Sequence, residues 1–217
     1  MYRRSALLLV SLWEAAAGQA PASPPKPISS LTIVLRSDSA VPPPVLNSME
    51  REVESLAAPS GIRITWALDT DELQPSQRVA VLTLRGVCRP DASLPAAMQI
   101  AKGGVIPLGQ TLVADGEVLP FADVRCDPIR ALMCRELFAR PSNQRERFLG
   151  RALGRVMAHE MYHILLRTRS HGTTGLARPA QSGVDLMADR DAFALSDEHK
   201  LSLLNSDGST GSFAADR

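Results

Sequence analysis

The sequence predicts an α+β fold in which one long helix packs on a sheet. Three observations support this class: short β-branched apolar runs, an amphipathic helical pattern after the first of them, and an Asp-Gly dipeptide between two extended segments. The chain has 217 residues, of which 45% are hydrophobic and 22% charged. This composition is that of a folded protein, and the length suits one domain with a sizeable core.

The predicted domain begins with a strand and a helix. Residues 31–35 (LTIVL) form a β-branched run typical of a strand, and the next segment starts with prolines and ends near residues 59–61. Within that segment Val45, Met49, Val53 and Leu56 recur every three or four residues. This spacing predicts an amphipathic helix that lies on the sheet.

Two more strands and a hairpin follow the first helix. Residues 61–68 (GIRITWAL) alternate apolar and polar side chains, and residues 78–86 (RVAVLTLRG) form a second run of the same type. Asp115-Gly116 stands between two extended segments within residues 107–124. This dipeptide favours a tight hairpin turn.

Helical patterns occupy the second half of the chain. Residues 127–140 predict one helix, with Pro128 in its first turn and its end before Pro141. The main helix follows, and Asn143 with Glu146 predicts a capping box at its start. A shorter helix is predicted within residues 196–206.

The N-terminus has the pattern of a secretory signal peptide. A basic start, a short apolar run over residues 5–13 and small residues up to Ala20 define a predicted signal peptide over residues 1–20, with cleavage after Ala17 as the alternative. The apolar run is about half the roughly 20 residues that a spanning helix needs, so we expect no stable membrane span after cleavage. A secreted or periplasmic location is predicted. The remaining predicted boundaries are a proline-rich linker over 21–30, one domain over 31–206 and a flexible tail over 207–217.

The charge balance argues against nucleic acid as a partner. Loss of residues 1–20 removes two arginines and one glutamate from 24 basic and 23 acidic residues, which leaves 22 of each. Nucleic-acid binding depends on an excess of positive charge that neutralises phosphates. We therefore exclude this class of function.

Three cysteines suggest one disulfide. In an exported chain two of Cys88, Cys126 and Cys134 should pair. Cys126 and Cys134 flank a predicted helix that would separate them by about 12 Å, which is too far for a bond. A Cys88–Cys126 disulfide is therefore favoured.

Three of the four histidines lie in one stretch, AHEMYHILLRTRSHGTTG. His159 and His163 are four residues apart on the predicted main helix, so their rings share one face about 6 Å apart along the axis and can bind one ion. Glu160 follows the first histidine, as in the H-E-x-x-H pattern of zinc hydrolases. These residues predict a Zn²⁺ site at which Glu160 is the general base acting on metal-activated water.

A catalytic zinc site needs a third protein ligand. His171 is the favoured candidate, but a continuous helix would place it about 12 Å beyond His163, so the chain must leave the helix between the two residues. Asp185, Asp189 and Glu198 are alternative carboxylate ligands.

This stretch resembles the active-site helix of metzincin-type zinc metallopeptidases, with H-E-x-x-H followed by a later histidine. The resemblance implies a twisted mixed sheet with the long active-site helix packed beneath it. It also implies an antiparallel edge strand before that helix, which binds substrate as an added strand. Residues 108–114 would be that strand here. The specific motif covers residues 150–187, and the element order covers about 130 residues from Leu31 onward.

The sequence departs from the metzincin pattern at two positions. The family's helix-breaking glycine and third histidine would fall at Leu166 and Arg169. The spacing here is instead closest to that of small exported bacterial proteins with seven residues between the last two histidines. Met187 is the candidate for the methionine-bearing turn under the metal.

These observations predict an exported zinc-dependent metalloendopeptidase that acts on a protein or peptide substrate. Two alternatives stay open: a catalytically silent zinc-binding or adhesion module, and a gluzincin-type or aspzincin-type hydrolase with a carboxylate third ligand. The sequence does not predict an oligomeric state.

Overall fold

The protein forms one five-stranded mixed sheet. The computed structural model describes residues 29–67, 73, 78–93, 107–188 and 192–204. The strands are β1 Ser29–Ser37, β2 Ile62–Ala67, β3 Arg78–Arg85, β4 Gly109–Ala114 and β5 Glu117–Arg125, in the order β2-β1-β3-β5-β4. Neighbouring strands are parallel except for β4, which is antiparallel to β5. This confirms the α+β class and places β4 at one edge of the sheet.

Six α-helices are found in the described part of the chain. They are α1 Pro43–Ala57, α2 Cys126–Leu132, α3 Cys134–Phe138, α4 Ser142–Leu166, α5 Gly183–Met187 and α6 Leu195–Leu203, with 3-10 turns at Ala58–Ser60 and Gly175–Ala177. The predicted signal peptide, most of the linker and the tail lie outside the described residues. β1 begins two residues before the predicted domain start at Leu31.

The hydrophobic core lies where α1 and α4 pack on each other and on the sheet. Val45, Met49, Val53 and Leu56 are all buried, which confirms the amphipathic pattern of α1. Glycines on α4 face the backbone of α1. A side chain at Gly154 would come within 2.7 Å of the Met49 carbonyl oxygen. Gly150, one turn earlier, is closer still to α1, where a side chain would meet the Val45 carbonyl oxygen. The glycines therefore let the two backbones approach closely.

A buried arginine joins three helices. The Arg155 side chain on α4 donates from Nε to Glu52 Oε1 on α1 at 2.8 Å, and from a terminal nitrogen to the Asp185 backbone oxygen on α5 at 2.8 Å. Arg155 is only 2% exposed. A buried charge is tolerated when it is paired and hydrogen-bonded, so this residue fixes α5 against the long helix.

The predicted hairpin is confirmed. Asp115 and Gly116 connect β4 to β5 with positive φ values of 52° and 85°. A two-residue turn with positive φ at both positions matches the right-handed twist of the strands, and Asp-Gly adopts it readily. The hairpin places β4 alongside β5, at the edge of the sheet.

Two helix predictions are wrong. Residues 127–140 form two short helices, because the backbone of Met133 leaves the helical region at ψ 4°. Ile129, Met133 and Leu137 are spaced by four residues and are all buried in the core. The capping box at Asn143 is also absent: the N-cap of α4 is Pro141, two residues before Asn143, and no side chain caps the helix.

The favoured disulfide is confirmed. Cys88, which follows β3, is bonded to Cys126 at the start of α2, and Cys134 is a free thiol. The bond connects two segments 38 residues apart in sequence. A search of the described residues finds no helix long and apolar enough to cross a membrane.

Candidate metal centre

Three histidines converge at the C-terminal end of α4. His159 and His163 project from successive turns of the helix, and their Nε2 atoms are 3.1 Å apart. The His171 ring centroid lies 4.7 Å from that of His163 and 5.3 Å from that of His159. One ring nitrogen from each residue lies within 4.8 Å of the others. The three side chains are therefore close enough to bind one metal ion.

The chain leaves the helix before it reaches His171, as predicted. α4 ends at Leu166, and Arg167 adopts a left-handed conformation with φ 47°. The Thr168 N–H then donates to the His163 carbonyl oxygen at 3.1 Å, which closes the helix end. This turn reverses the chain and returns His171 to the face that carries the other two histidines.

Backbone carbonyls orient the two helical rings. His159 Nδ1 lies 2.8 Å from the Leu176 carbonyl oxygen, and His163 Nδ1 lies 2.8 Å from the Thr168 carbonyl oxygen. A carbonyl only accepts, so each Nδ1 must carry the proton and each neutral ring presents an Nε2 lone pair. Two lone pairs that face each other across 3.1 Å repel, and a cation between them removes that repulsion.

Burial favours the neutral form of the two helical imidazoles. It lowers the pKa of both His159 and His163 below 6.5, although the hydrogen bonds to Leu176 and Thr168 oppose this shift. Metal binding requires the neutral ring. The donor set therefore fits a metal ion that accepts nitrogen ligands.

Glu160 lies beside the histidine cluster and is only 5% exposed. Its Oε2 accepts a hydrogen bond of 2.6 Å from the Thr111 hydroxyl on β4. Burial raises the pKa of Glu160 above its usual value, and the Thr111 bond opposes this shift. The sequence reasoning missed Thr111, because a contact across 49 residues leaves no local pattern.

The edge strand comes close to Glu160 at a glycine. A side chain at Gly109 would come within 2.5 Å of Glu160 Oε1. The absence of a side chain at residue 109 therefore leaves room for the Glu160 carboxylate in this position, and a side chain there would require Glu160 to move.

A cavity of about 720 Å³ opens over the cluster. Its lining includes the three histidines, Glu160 and part of β4, together with mostly apolar residues from neighbouring segments. The apolar residues of the lining are Pro107, Leu108, Val113, Val118, Pro128, Ala131, Leu132, Val156, Pro179 and Ala180. β4 has the position expected of an antiparallel edge strand beside the candidate site.

The alternative carboxylates do not join this cluster within the described part of the chain. Asp185 forms a capping box with Ser182, the N-cap residue of α5, and pairs with Arg178 at 3.3 Å. Glu198 lies on α6, outside the histidine group. Asp189 lies outside the described residues. Its possible role as a ligand stays a prediction.

Met187 does not line the cavity. It ends α5 and is partly buried against the hydrophobic core. The segment that contains Leu176 lies next to the helical histidines instead, and the Leu176 carbonyl oxygen orients the His159 ring. The assignment of Met187 to a turn under the metal gains no support from this placement.

Comparison of the chain with family models and with curated proteins gives no match. The resemblance to metzincins therefore stays a prediction from the H-E-x-x-H motif and from the element order of the sequence.

Proposed function

We propose that the protein is an exported zinc-dependent metalloendopeptidase. The observation that carries this proposal is the convergence of three histidines beside a buried carboxylate, at a cavity bordered by the edge of a sheet. A metal ligand set, a proton acceptor and a peptide-binding edge are the three components that such an enzyme requires.

His159, His163 and His171 would hold the metal. Three histidines with an open fourth position are one of the ligand sets found at catalytic zinc sites. Zinc held in this way supplies Lewis acidity, which polarises a carbonyl group and lowers the pKa of water to about 7.

Glu160 would act as the proton acceptor. The Thr111 hydroxyl donates to Oε2, so Oε1 keeps its lone pairs free beside Gly109, at the cavity. Glu160 accepts the proton from the attacking water at Oε1 and then passes it to the leaving amine. Thr111 is a positioning residue, because it holds the carboxylate through one short bond.

The edge of β4 would orient the substrate. β4 pairs with β5 on one side only, so its other edge can receive an extended peptide through main-chain hydrogen bonds. This arrangement suits a protein or peptide substrate whose backbone passes over Glu160.

The disulfide supports the proposal that the protein is exported. The Cys88–Cys126 bond is of the kind that persists in oxidising compartments, and the predicted signal peptide accounts for transport to a secreted or periplasmic location.

The test is casein cleavage by purified protein of known zinc content, with and without a chelator. Glu160→Gln should keep the metal and lose about 10²- to 10⁴-fold in kcat, because only the proton acceptor is removed. Glu146→Gln, in the first turns of the same helix, is the matched control and should retain activity. Equal activity of Glu160→Gln and the unaltered protein would overturn the proposal.

Other results would favour the alternatives. Zinc bound without any peptidase activity indicates a silent zinc-binding module. Zinc retained in His171→Ala but lost in Asp185→Ala, Asp189→Ala or Glu198→Ala indicates a carboxylate third ligand.

A further inference from the structure

Arg169 brings a positive charge to the cavity that holds the three histidines. It is exposed, and it lines the cavity between Thr168 and His171. Within the described part of the chain its guanidinium makes no hydrogen bond and no ion pair. An arginine at a cavity wall without a partner is available to a ligand.

The backbone at Arg169 is held on both sides. The carbonyl oxygen of Thr168 lies 2.8 Å from His163 Nδ1, and the hydroxyl of Thr168 accepts a 3.1 Å hydrogen bond from the Ser170 N–H. These contacts form a turn that is tied to the histidine cluster. The backbone position of Arg169 beside the site is therefore fixed, although its side chain is exposed to solvent.

The other charged groups of the cavity already have partners. Arg178 pairs with Asp185 at 3.3 Å, and the Glu160 carboxylate accepts the bond from Thr111. Histidine ligands carry no negative charge, so they would not offset the charge of a divalent cation. The positive charge of Arg169 is thus left unpaired among the described residues, beside a site that would attract anions once it held a divalent cation.

We propose that Arg169 selects substrates that carry a carboxylate close to the scissile bond. The inference rests on the proposed function and names its substrate class. A guanidinium binds a carboxylate through two parallel hydrogen bonds, so the side chain suits an acidic residue or a free C-terminal carboxylate. The cavity's apolar walls hold the rest of the peptide.

The test measures binding without turnover, in the full-length chain expressed for export. Zinc-loaded Glu160→Gln protein is titrated with three octapeptide mixtures: one with glutamate at varied positions and an amidated C-terminus, one with glutamine and an amidated C-terminus, and one with glutamine and a free C-terminus. Either carboxylate-bearing mixture should bind about fivefold more tightly than the amidated glutamine mixture. Which of them does so identifies the source of the carboxylate.

Substitutions at Arg169 then test whether this side chain causes the preference for peptides that carry a carboxylate. Arg169→Met should abolish that preference, and Arg169→Glu should reverse it. The matched control is Arg63→Met, an exposed arginine on β2 at the opposite edge of the sheet, and it should keep the preference. Equal binding of the three mixtures, or a preference that survives in Arg169→Met, overturns the proposal. Absence of casein cleavage in the unaltered protein would instead overturn the proposed function, and the binding comparison would still be measurable.

Discussion

The histidine cluster is built from two regions that are held in different ways. His159 and His163 stand on a long helix, and each ring is oriented by a backbone carbonyl at 2.8 Å. His171 stands on the segment after the helix, is exposed, and has no hydrogen bond to its ring within the described residues. Two of the three side chains are therefore oriented before any ion arrives, while the third depends on the path of its segment.

This difference has a physical consequence for metal binding. A preorganised pair loses little conformational entropy when an ion binds, whereas an exposed side chain must lose its rotamer freedom. We expect the helical pair to provide most of the affinity and His171 to complete the site.

The largest expected effect on zinc affinity comes from removing one histidine on the helix, and a smaller one from removing His171 on the segment after it. His163→Ala should lower zinc affinity by at least about 100-fold, and His171→Ala by a smaller factor, because the anchored pair stays intact. Competition with a chromophoric chelator measures both. His199→Ala, exposed on α6, is the control and should change nothing. Equal losses for the two ligands would contradict the comparison.

A smaller effect should follow from moving the segment that carries His171. A side chain at Gly172 would lie 2.8 Å from Asp197 Oδ2 and 3.0 Å from the Ala177 Cβ, so Gly172→Ala must shift either the Asp197 side chain or the segment next to His171. We expect a loss of about tenfold in zinc affinity, the size seen when ligand orientation is disturbed. Ser170→Ala, on the other side of His171, is the matched control. Unchanged affinity in Gly172→Ala would show that the position of His171 is not critical.

The smallest expected effect is a pH dependence of stability in the metal-free protein. Burial lowers the folded-state pKa of His159 and His163 below 6.5, so below pH 6.5 the unfolded chain binds more protons. The free energy of unfolding should therefore decrease as the pH falls from 6.5 towards the folded values. The raised pKa of Glu160 acts in the opposite direction, so the measurement uses Glu160→Gln as background.

Urea unfolding at a series of pH values checks this expectation. Replacing both helical histidines with glutamine in the same background should flatten the dependence between pH 6.5 and 5. If the double substitution leaves the pH dependence of the free energy of unfolding unchanged, burial of the two imidazole rings does not cause that dependence.

Several predictions from the sequence failed where tertiary contacts compete with local patterns. Residues 127–140 have the composition of one helix, yet the backbone conformation of Met133 divides them into two short helices. Asn143 and Glu146 have capping-box spacing, but Pro141 already has the extended conformation that starts the helix. Local propensity is a weak preference that packing overrides.

The amino-acid sequence by itself determined the parts that depend on short-range geometry. The spacing of His159 and His163 places both rings on one helical face, Asp115-Gly116 turns the hairpin, and the apolar repeat of α1 defines its buried face.

Only the tertiary structure decided which distant residues meet. The return of His171 to the cluster, the bond from Thr111 to Glu160 and the unpartnered position of Arg169 all depend on the path of the chain between separate elements. Packing of the whole core sets that path, and no local spacing encodes it.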